Sequence, residues 1–270
     1  MENYILQIGI FIFGTIIGSF LNVVILRQGQ KSLNGRSECQ NCHKKLEWYE
    51  LIPILSFFIQ KGKCSECKTN ISWQYPLVET ATGLLFLFTF NQLFALCLFD
   101  LISLWLIFSL LLIIFVYDLY HKIIPDTWVF LFSGLALLRI FYSCLPAGRL
   151  DFQGFGFLST FWAGPFLALP FVILWIISKG EWLGLGDAKL ALGIGWFLGL
   201  SQGFSAIILG VWIGAFIGLL LIFLSKLSQY KQLFFLSKNF TIKSELPFAP
   251  FLIIGIILVF FFDISIWNLF

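Results

Sequence analysis

Long stretches without a charged residue recur along this chain and restrict its fold more than any other feature. They cover residues 4–26, 101–117, 152–178, 190–225 and 246–262. A helix needs about 20 apolar residues to cross the hydrocarbon layer of a bilayer, and each stretch meets or approaches that length. Hydrophobic residues make up 59% of the chain and charged residues 11%, so a soluble core could not bury this much apolar surface. The sequence therefore predicts an all-α polytopic membrane protein.

The distribution of basic residues predicts the orientation and the number of spans. Eight of the 17 lysine and arginine residues lie within 27–75, the longest polar region, which the positive-inside rule places in the cytoplasm. Alternation from there predicts helices near 4–26, 76–97, 100–117, 127–145 and 153–178. Lysines recur at 179, 189, 226, 231, 238 and 243, so the stretch 190–225 must cross twice, turning near 201–203. A last helix near 247–266 gives eight spans, with only Arg139 and Arg149 outside.

Two pairs of cysteines stand in the polar region between the first two helices. The motifs "CQNC" and "CSEC" place Cys39, Cys42, Cys64 and Cys67 in a C-x2-C-x21-C-x2-C arrangement. Two such knuckles supply the tetrahedral sulfur shell that Zn²⁺ favours, and the cytoplasm disfavours the competing disulfides. We predict a zinc site that staples a loop too small for a core of its own; a role in substrate or cofactor binding remains the alternative. His43 is expected to be a loop residue.

These features predict three regions. They are a first transmembrane helix at 1–26, a cytoplasmic four-cysteine zinc-binding domain at 27–75, and a membrane core at 76–270 that contains the remaining seven helices.

Two aspartates, Asp118 and Asp187, are predicted at the same membrane face by the topology derived from the lysines. Asp118 follows the third helix, and Asp187 opens the short sixth helix behind Gly184 and Gly186. Ionisable groups at membrane depth are costly and are functional candidates. Two neighbouring carboxyl groups share one proton, as in aspartic proteases. Asp126 follows Pro125 and is expected to be a helix N-cap.

Six segments of the sequence carry a resemblance to a known family. They are "GTIIGSFLNVVILR", the spaced cysteines, "YPLVE", "YDLYHKIIPD", "GLGDAKLALGIGWFLG" and "LPFAPFLIIG". In order and across nearly the whole chain they resemble the type IV prepilin peptidase family of membrane aspartyl proteases with a Gly-x-Gly-Asp motif. Two departures are Gln40, where proline is usual, and Ala249, where glycine is usual.

The resemblance implies a function. It implies an aspartic endopeptidase that removes the basic leader of prepilins and pseudopilins, whose substrates carry a hydrophobic N-terminal helix, with Asp118 and Asp187 as the catalytic pair. Related proteins with the cysteine domain commonly also methylate the new N-terminal amine with S-adenosylmethionine, and we expect this second activity. The expected location is the bacterial cytoplasmic membrane, with the zinc domain and the active site on its cytoplasmic side and no nucleic-acid partner.

Three alternatives remain open from the sequence. One is a peptidase without methyltransferase activity. Another is a transporter whose acids relay protons or bind cations, although internal repeats, which many transporters carry, are not evident between 1–135 and 136–270. The third is a membrane scaffold whose zinc loop recruits a partner.

Overall fold

The computed structural model describes residues 2–28, 35–93, 98–142, 156–181, 183–228 and 247–266. Within these ranges the chain is helical, without strands, as the composition predicts. The helices are α1 (Glu2–Arg27), α2 (Leu55–Ile59), α3 (Gln74–Leu93), α4 (Leu98–His121), α5 (Asp126–Tyr142), α6 (Gly156–Ser178), α7 (Leu185–Ser228) and α8 (Ala249–Phe262). A short 3-10 helix covers Trp48–Leu51. The chain divides into two compact units, Met1–Ile113 and Ile114–Phe270.

Four of the described helices are long and apolar enough to cross a membrane. They are Tyr4–Arg27, Leu98–His121, Leu158–Ser178 and Leu185–Phe223, and the shorter apolar helix Ala249–Phe262 follows them. The class of an all-helical membrane protein is therefore confirmed, while the number of eight spans stays a prediction. Some of the predicted helix ends lie outside the described residues, namely those at 94–97, 143–145 and 153–155. The same holds for several basic residues used to predict the topology: Lys31, Arg149 and the lysines at 231, 238 and 243.

In the first unit, α1 and α3 pack antiparallel along their whole length. A Cβ at Gly14 would lie 2.8 Å from Cα of Gly83, and one at Gly18 would lie 2.7 Å from Cα of Glu79. Small residues at these positions let the two backbones approach closely, as is common between membrane helices. Polar contacts extend the pairing, because Gln7 donates to Asn91 Oδ1 at 2.9 Å and Asn22 donates to the Tyr75 carbonyl at 3.3 Å.

In the second unit, α7 is the central helix and packs against α5, α6 and α8. Its closest approach to α6 is at Gly195, where a Cβ would lie 2.6 Å from Cα of Gly164. Towards α5, the guanidinium of the buried Arg139 lies over the Phe197 ring, 5.8 Å from its centroid. A basic residue that the charge pattern predicts on the outer side is therefore buried against an aromatic ring.

The backbone of α7 is interrupted at Gly199, which has φ +78° and ψ −177°. A Cβ at Gly203 would lie 3.5 Å from the carbonyl oxygen of Ile194. In a straight helix these two residues would be separated by about 13 Å along the axis, so the two arms of α7 fold back on each other. The reversal predicted near 201–203 occurs at Gly199 because glycine, without a Cβ, tolerates this backbone conformation.

Candidate functional site

Asp118 lies in the last turn of α4, which continues beyond the predicted end at residue 117. The carbonyl of Asp118 accepts a 2.8 Å hydrogen bond from the N–H of Lys122, and Lys122 then adopts φ +53°. This left-handed residue ends the helix. The Asp118 side chain, only 4% exposed, therefore projects from regular helix and not from a loop.

Asp187 lies in the first turn of α7, which begins at Leu185. Its N–H donates to the Gly184 carbonyl at 3.2 Å, which closes the turn. The side chain is 7% exposed, and its Oδ1 has no hydrogen-bond partner among the described residues. Buried polar atoms in native proteins nearly always have a partner, so this oxygen faces a position that a ligand or water would fill.

The fold brings the two acids together. The charges of the Asp118 and Asp187 carboxylates are close enough to repel each other. One acid comes from the C-terminal turn of α4 and the other from the N-terminal turn of α7. Their proximity therefore results from tertiary packing and not from spacing along one helix.

The N-terminus of α8 contributes a contact that the sequence did not predict. The N–H of Ala249, the first residue of α8, donates a 3.2 Å hydrogen bond to Oδ2 of Asp118. Unpaired N–H groups at a helix N-terminus favour a negative charge. Residue 249 is alanine where the family usually has glycine. The contact uses the backbone N–H, which both residues carry, so this departure does not remove it.

The two glycines near Asp187 have different surroundings. A Cβ at Gly186 would lie 2.8 Å from Cβ of Ile124, so this glycine permits close packing against the chain's own α4–α5 connection. A Cβ at Gly184 would lie 3.7 Å from Oδ2 of Asp187, an ordinary contact distance. Gly184 is exposed and therefore leaves open space beside the carboxyl group.

Asp126 is the first residue of α5 and does not join the two buried acids. Its Oδ1 accepts a 2.6 Å hydrogen bond from Nζ of Lys189, and this ion pair connects the start of α5 to the first turn of α7. Nζ of Lys189 also lies 5.3 Å from the centroid of the Phe130 ring. Lys189 thus connects the start of α5 to the segment that carries Asp187, a contact that the charge pattern did not predict.

The four cysteines converge in the first unit. Their sulfur atoms all lie within 4.8 Å of one another, with Cys39 Sγ 3.8 Å from Cys67 Sγ and Cys42 Sγ 4.0 Å from Cys64 Sγ. Tetrahedral Zn–S bonds of about 2.3 Å require sulfur–sulfur distances of about 3.8 Å. The geometry and the donor set therefore fit zinc.

The two knuckles repeat the same backbone structure. In the first, the N–H of Cys39 donates to the Lys44 carbonyl at 2.9 Å, and in the second the N–H of Cys64 donates to the Thr69 carbonyl at 2.9 Å. His43 and Lys68 occupy equivalent positions and both have φ +57°. His43 is exposed, which agrees with its expected place as a loop residue.

Glu50 links the two knuckles and was not identified from the sequence. Its buried carboxylate accepts hydrogen bonds from Lys44 Nζ at 3.2 Å, from Ser65 Oγ and from the N–H of Glu47. Burial alone would raise the pKa of Glu50, but these three donors lower it below its usual value. At the second knuckle, a hydrogen bond with Thr69 Oγ1 lowers the pKa of the Cys67 thiol to about 6, which favours the thiolate that binds metal.

These features define a helical membrane protein with a four-cysteine cluster and a pair of buried carboxyl groups. Two family models match the chain: the Bacterial Peptidase A24 N-terminal domain over residues 12–93, and the Type IV leader peptidase family over residues 105–225. The chain belongs to the type IV leader peptidase family.

Curated relatives agree with this membership. A prepilin leader peptidase/N-methyltransferase of Bacillus subtilis is 34% identical over 260 residues, which cover 95% of this chain and 94% of the relative. The protein of the same name from Myxococcus xanthus is 34% identical, and the alignment covers 79% of this chain and 62% of the relative. The one from Vibrio cholerae is 27% identical, and the alignment covers 96% of this chain and 98% of the relative. No solved structure gives a significant match.

Proposed function

We propose that this chain is a prepilin leader peptidase that cleaves type IV prepilins and pseudopilins, with Asp118 and Asp187 as its catalytic pair. The convergence of two buried carboxyl groups from different helices is the observation that carries the proposal. The family membership supports the substrate class. The substrates are expected to present a basic leader and a hydrophobic N-terminal helix, and to serve type IV pili, secretion or competence.

The reaction needs one charged and one protonated carboxyl group. Two adjacent carboxylates do not both ionise readily, so the pair holds one proton. The ionised acid removes a proton from a water molecule as that water attacks the scissile carbonyl. The protonated acid donates a hydrogen bond to the carbonyl oxygen and later helps the amine to leave.

The surroundings of the two acids suggest how these roles are divided. The N–H of Ala249 at the start of α8 stabilises negative charge on Asp118. A backbone hydrogen bond from Gly184 also reaches the Asp187 carboxyl group, but its Oδ1 has no hydrogen-bond partner among the described residues. We therefore assign the base to Asp118 and the acid to Asp187. The open space beside Gly184 would admit the peptide backbone next to the acid.

Cys39, Cys42, Cys64 and Cys67 are proposed to bind one structural Zn²⁺. The metal would hold the two knuckles together in a loop that is too small to form a core of its own. Structural zinc sites of this kind supply folding free energy and take no direct part in chemistry.

The second proposed activity is methylation of the new N-terminal amine. The names of the curated relatives include N-methyltransferase, which supports the same activity here. S-adenosylmethionine would supply the methyl group, and we assign no residue of this chain to its binding.

The proposed topology has eight passages through the bacterial cytoplasmic membrane. α1, α3, α4, α5, α6, the two arms of α7 and α8 would supply them. The basic residues support a cytoplasmic location for 27–75 and for both acids. The proposed regions are a first helix at 1–26, a zinc-binding domain at 27–75 and a membrane peptidase core at 76–270.

The proposal is tested with the full-length chain in lipid nanodiscs and a prepilin substrate. Mass spectrometry of the product should report removal of the leader and, with S-adenosylmethionine present, the addition of one methyl group. An intact prepilin after incubation with well-folded enzyme would refute the peptidase, whereas cleavage without methylation would refute only the second activity.

A further inference from the structure

The loop between α1 and α3 exposes an apolar surface although it belongs to a polar region. Leu55, Phe58 and Ile59 of α2 and Trp73 just before α3 have exposed fractions between 59% and 75%. Leu55, Phe58 and Ile59 are spaced three and four residues apart, so they lie on one face of α2. We call the surface formed by these four residues the α2 surface. Exposed apolar residues grouped on one surface are candidates for a site of interaction.

The α2 surface is held in a fixed conformation. The buried Phe57 of α2 packs against Trp73, with ring centroids 4.8 Å apart. Ile54 directly precedes α2 and has φ +61°. Its N–H donates a 2.7 Å hydrogen bond to the buried carboxylate of Glu79 in α3. Glu79 therefore ties the start of α2 to a helix that pairs with α1. The exposed side chains are presented by an ordered element.

The α2 surface continues the outward face of α3. The N–H of Leu77 donates to the Trp73 carbonyl at 3.2 Å, so Trp73 stands one turn before Leu77. Leu77, Leu84 and Phe88 form an exposed apolar stripe along α3. Because α3 pairs antiparallel with α1, a helix long and apolar enough to cross a membrane, we expect this stripe to face lipid beside α1. The surface therefore lies where the lipid-facing side of α3 ends.

The charges beside the α2 surface match a lipid headgroup layer. Lys61 lines a cavity of 430 Å³ together with Phe57, Phe58 and Trp73. Lys61 and Lys63 are exposed, and Trp73 is of the residue type enriched at membrane interfaces. An apolar face bordered by lysines is the pattern of a segment that lies in the interface of an anionic membrane.

We propose that the α2 surface is embedded in the interface of an anionic bilayer, so that the cysteine loop is anchored to the membrane and not suspended in water. Phe58, Ile59 and Trp73 would enter the level of the upper acyl chains. Lys61 would contact the phosphate groups of anionic lipids. The occupant is lipid, and the proposal does not depend on the catalytic assignment.

The test uses the full-length chain in nanodiscs that contain a lipid with a photoactivatable diazirine near the top of its acyl chain. After illumination, cross-linked residues are mapped by mass spectrometry. Labelling of Phe58, Ile59 and Trp73 is expected within about threefold of that at Leu84 and at least about tenfold above that at the exposed Glu66. A parallel experiment uses a water-soluble diazirine, which should label Glu66 but not the α2 surface.

A charge variant with a matched control tests the anionic lipid. In the wild type, phosphatidylglycerol should increase the labelling of Phe58 about twofold over pure phosphatidylcholine. Lys61→Gln should remove most of this increase. Lys45→Gln, which removes the same charge at an exposed site on the first knuckle, should leave this increase unchanged. Equal effects of the two substitutions would contradict the proposed role of Lys61.

Two other outcomes would overturn the proposal. In one, the water-soluble reagent labels Phe58, Ile59 and Trp73 as strongly as Glu66. In the other, the α2 surface is protected from that reagent only after a prepilin peptide is added, which would make it a protein-binding surface. Leader cleavage is measured on the same samples, so failure of the lipid contact is distinguished from failure of the peptidase.

Discussion

The backbone N–H of Ala249 donates a hydrogen bond to Oδ2 of Asp118 across 131 residues of sequence, at a distance of 3.2 Å. This contact places the N-terminus of α8 against one of the two buried acids, whereas Oδ1 of the other acid, Asp187, has no hydrogen-bond partner among the described residues. Because the donor belongs to the backbone, the contact depends on the position of α8 and not on the side chain of residue 249.

The proposed catalytic pair predicts that neither acid can be replaced. Asp118→Asn and Asp187→Asn should each lower leader cleavage by at least about 100-fold, because asparagine keeps the shape but cannot exchange the shared proton. Asp126→Asn is the matched control, since this acid lies outside the pair, and it should retain activity. Cleavage is measured by mass spectrometry of a prepilin. Wild-type rates in either of the first two variants would remove that acid from the mechanism.

The glycines before Asp187 should respond differently to alanine. Gly186→Ala places a Cβ against Ile124 and should destabilise the protein by about 1–3 kcal/mol through overpacking. Gly184→Ala meets only an ordinary contact with Asp187 Oδ2, so it should fold normally but cleave more slowly if the substrate backbone passes there. Thermal unfolding in detergent and cleavage rates separate the two effects. A Gly184→Ala variant with full activity would show that the substrate does not use this space.

The ion pair between Asp126 and Lys189 should contribute little to stability. Both side chains are partly exposed, and exposed pairs contribute about 0.2–1 kcal/mol. A double-mutant cycle with Asp126→Asn and Lys189→Met should give a coupling energy in this range, measured by unfolding. Coupling well above it would indicate that the pair also fixes the position of α7.

The reversal at Gly199 should be sensitive to a side chain. Gly199→Ala forces a Cβ into a positive φ with extended ψ, which costs about 1–3 kcal/mol. Gly134→Ala in α5 is the matched control, because a Cβ there has nothing within 4 Å and helical alanine is favoured over glycine. The comparison of thermal midpoints checks the prediction. Equal midpoints would mean that α7 does not need glycine to fold back.

The cysteine cluster should bind about one zinc ion per chain, with four sulfur ligands. Cys39→Ser should lose most of the metal, whereas His43→Asn should keep it, because His43 is exposed and asparagine tolerates its positive φ. Metal content is measured by atomic emission after purification without added zinc. Loss of zinc in His43→Asn, or its absence from the wild type, would contradict the four-cysteine site.

The sequence by itself determined the class of the protein and its chemical groups. Uncharged stretches predict membrane helices because a buried charge in lipid is costly, and paired cysteines at a spacing of two predict a metal site because such local geometry depends little on the rest of the fold. The aspartates were found in the same way, from their position at the ends of apolar stretches.

Only the tertiary structure decided how these groups are surrounded. Asp118 and Asp187 lie on different helices, and the hydrogen bond from Ala249, the ion pair of Asp126 with Lys189 and the role of Glu50 between the knuckles join residues that no local pattern connects. The reversal of α7 at Gly199, and not near 201–203, depends on a backbone conformation that several glycines of this stretch could have adopted. Such contacts follow from how helices pack, and packing depends on the whole set of side chains at once.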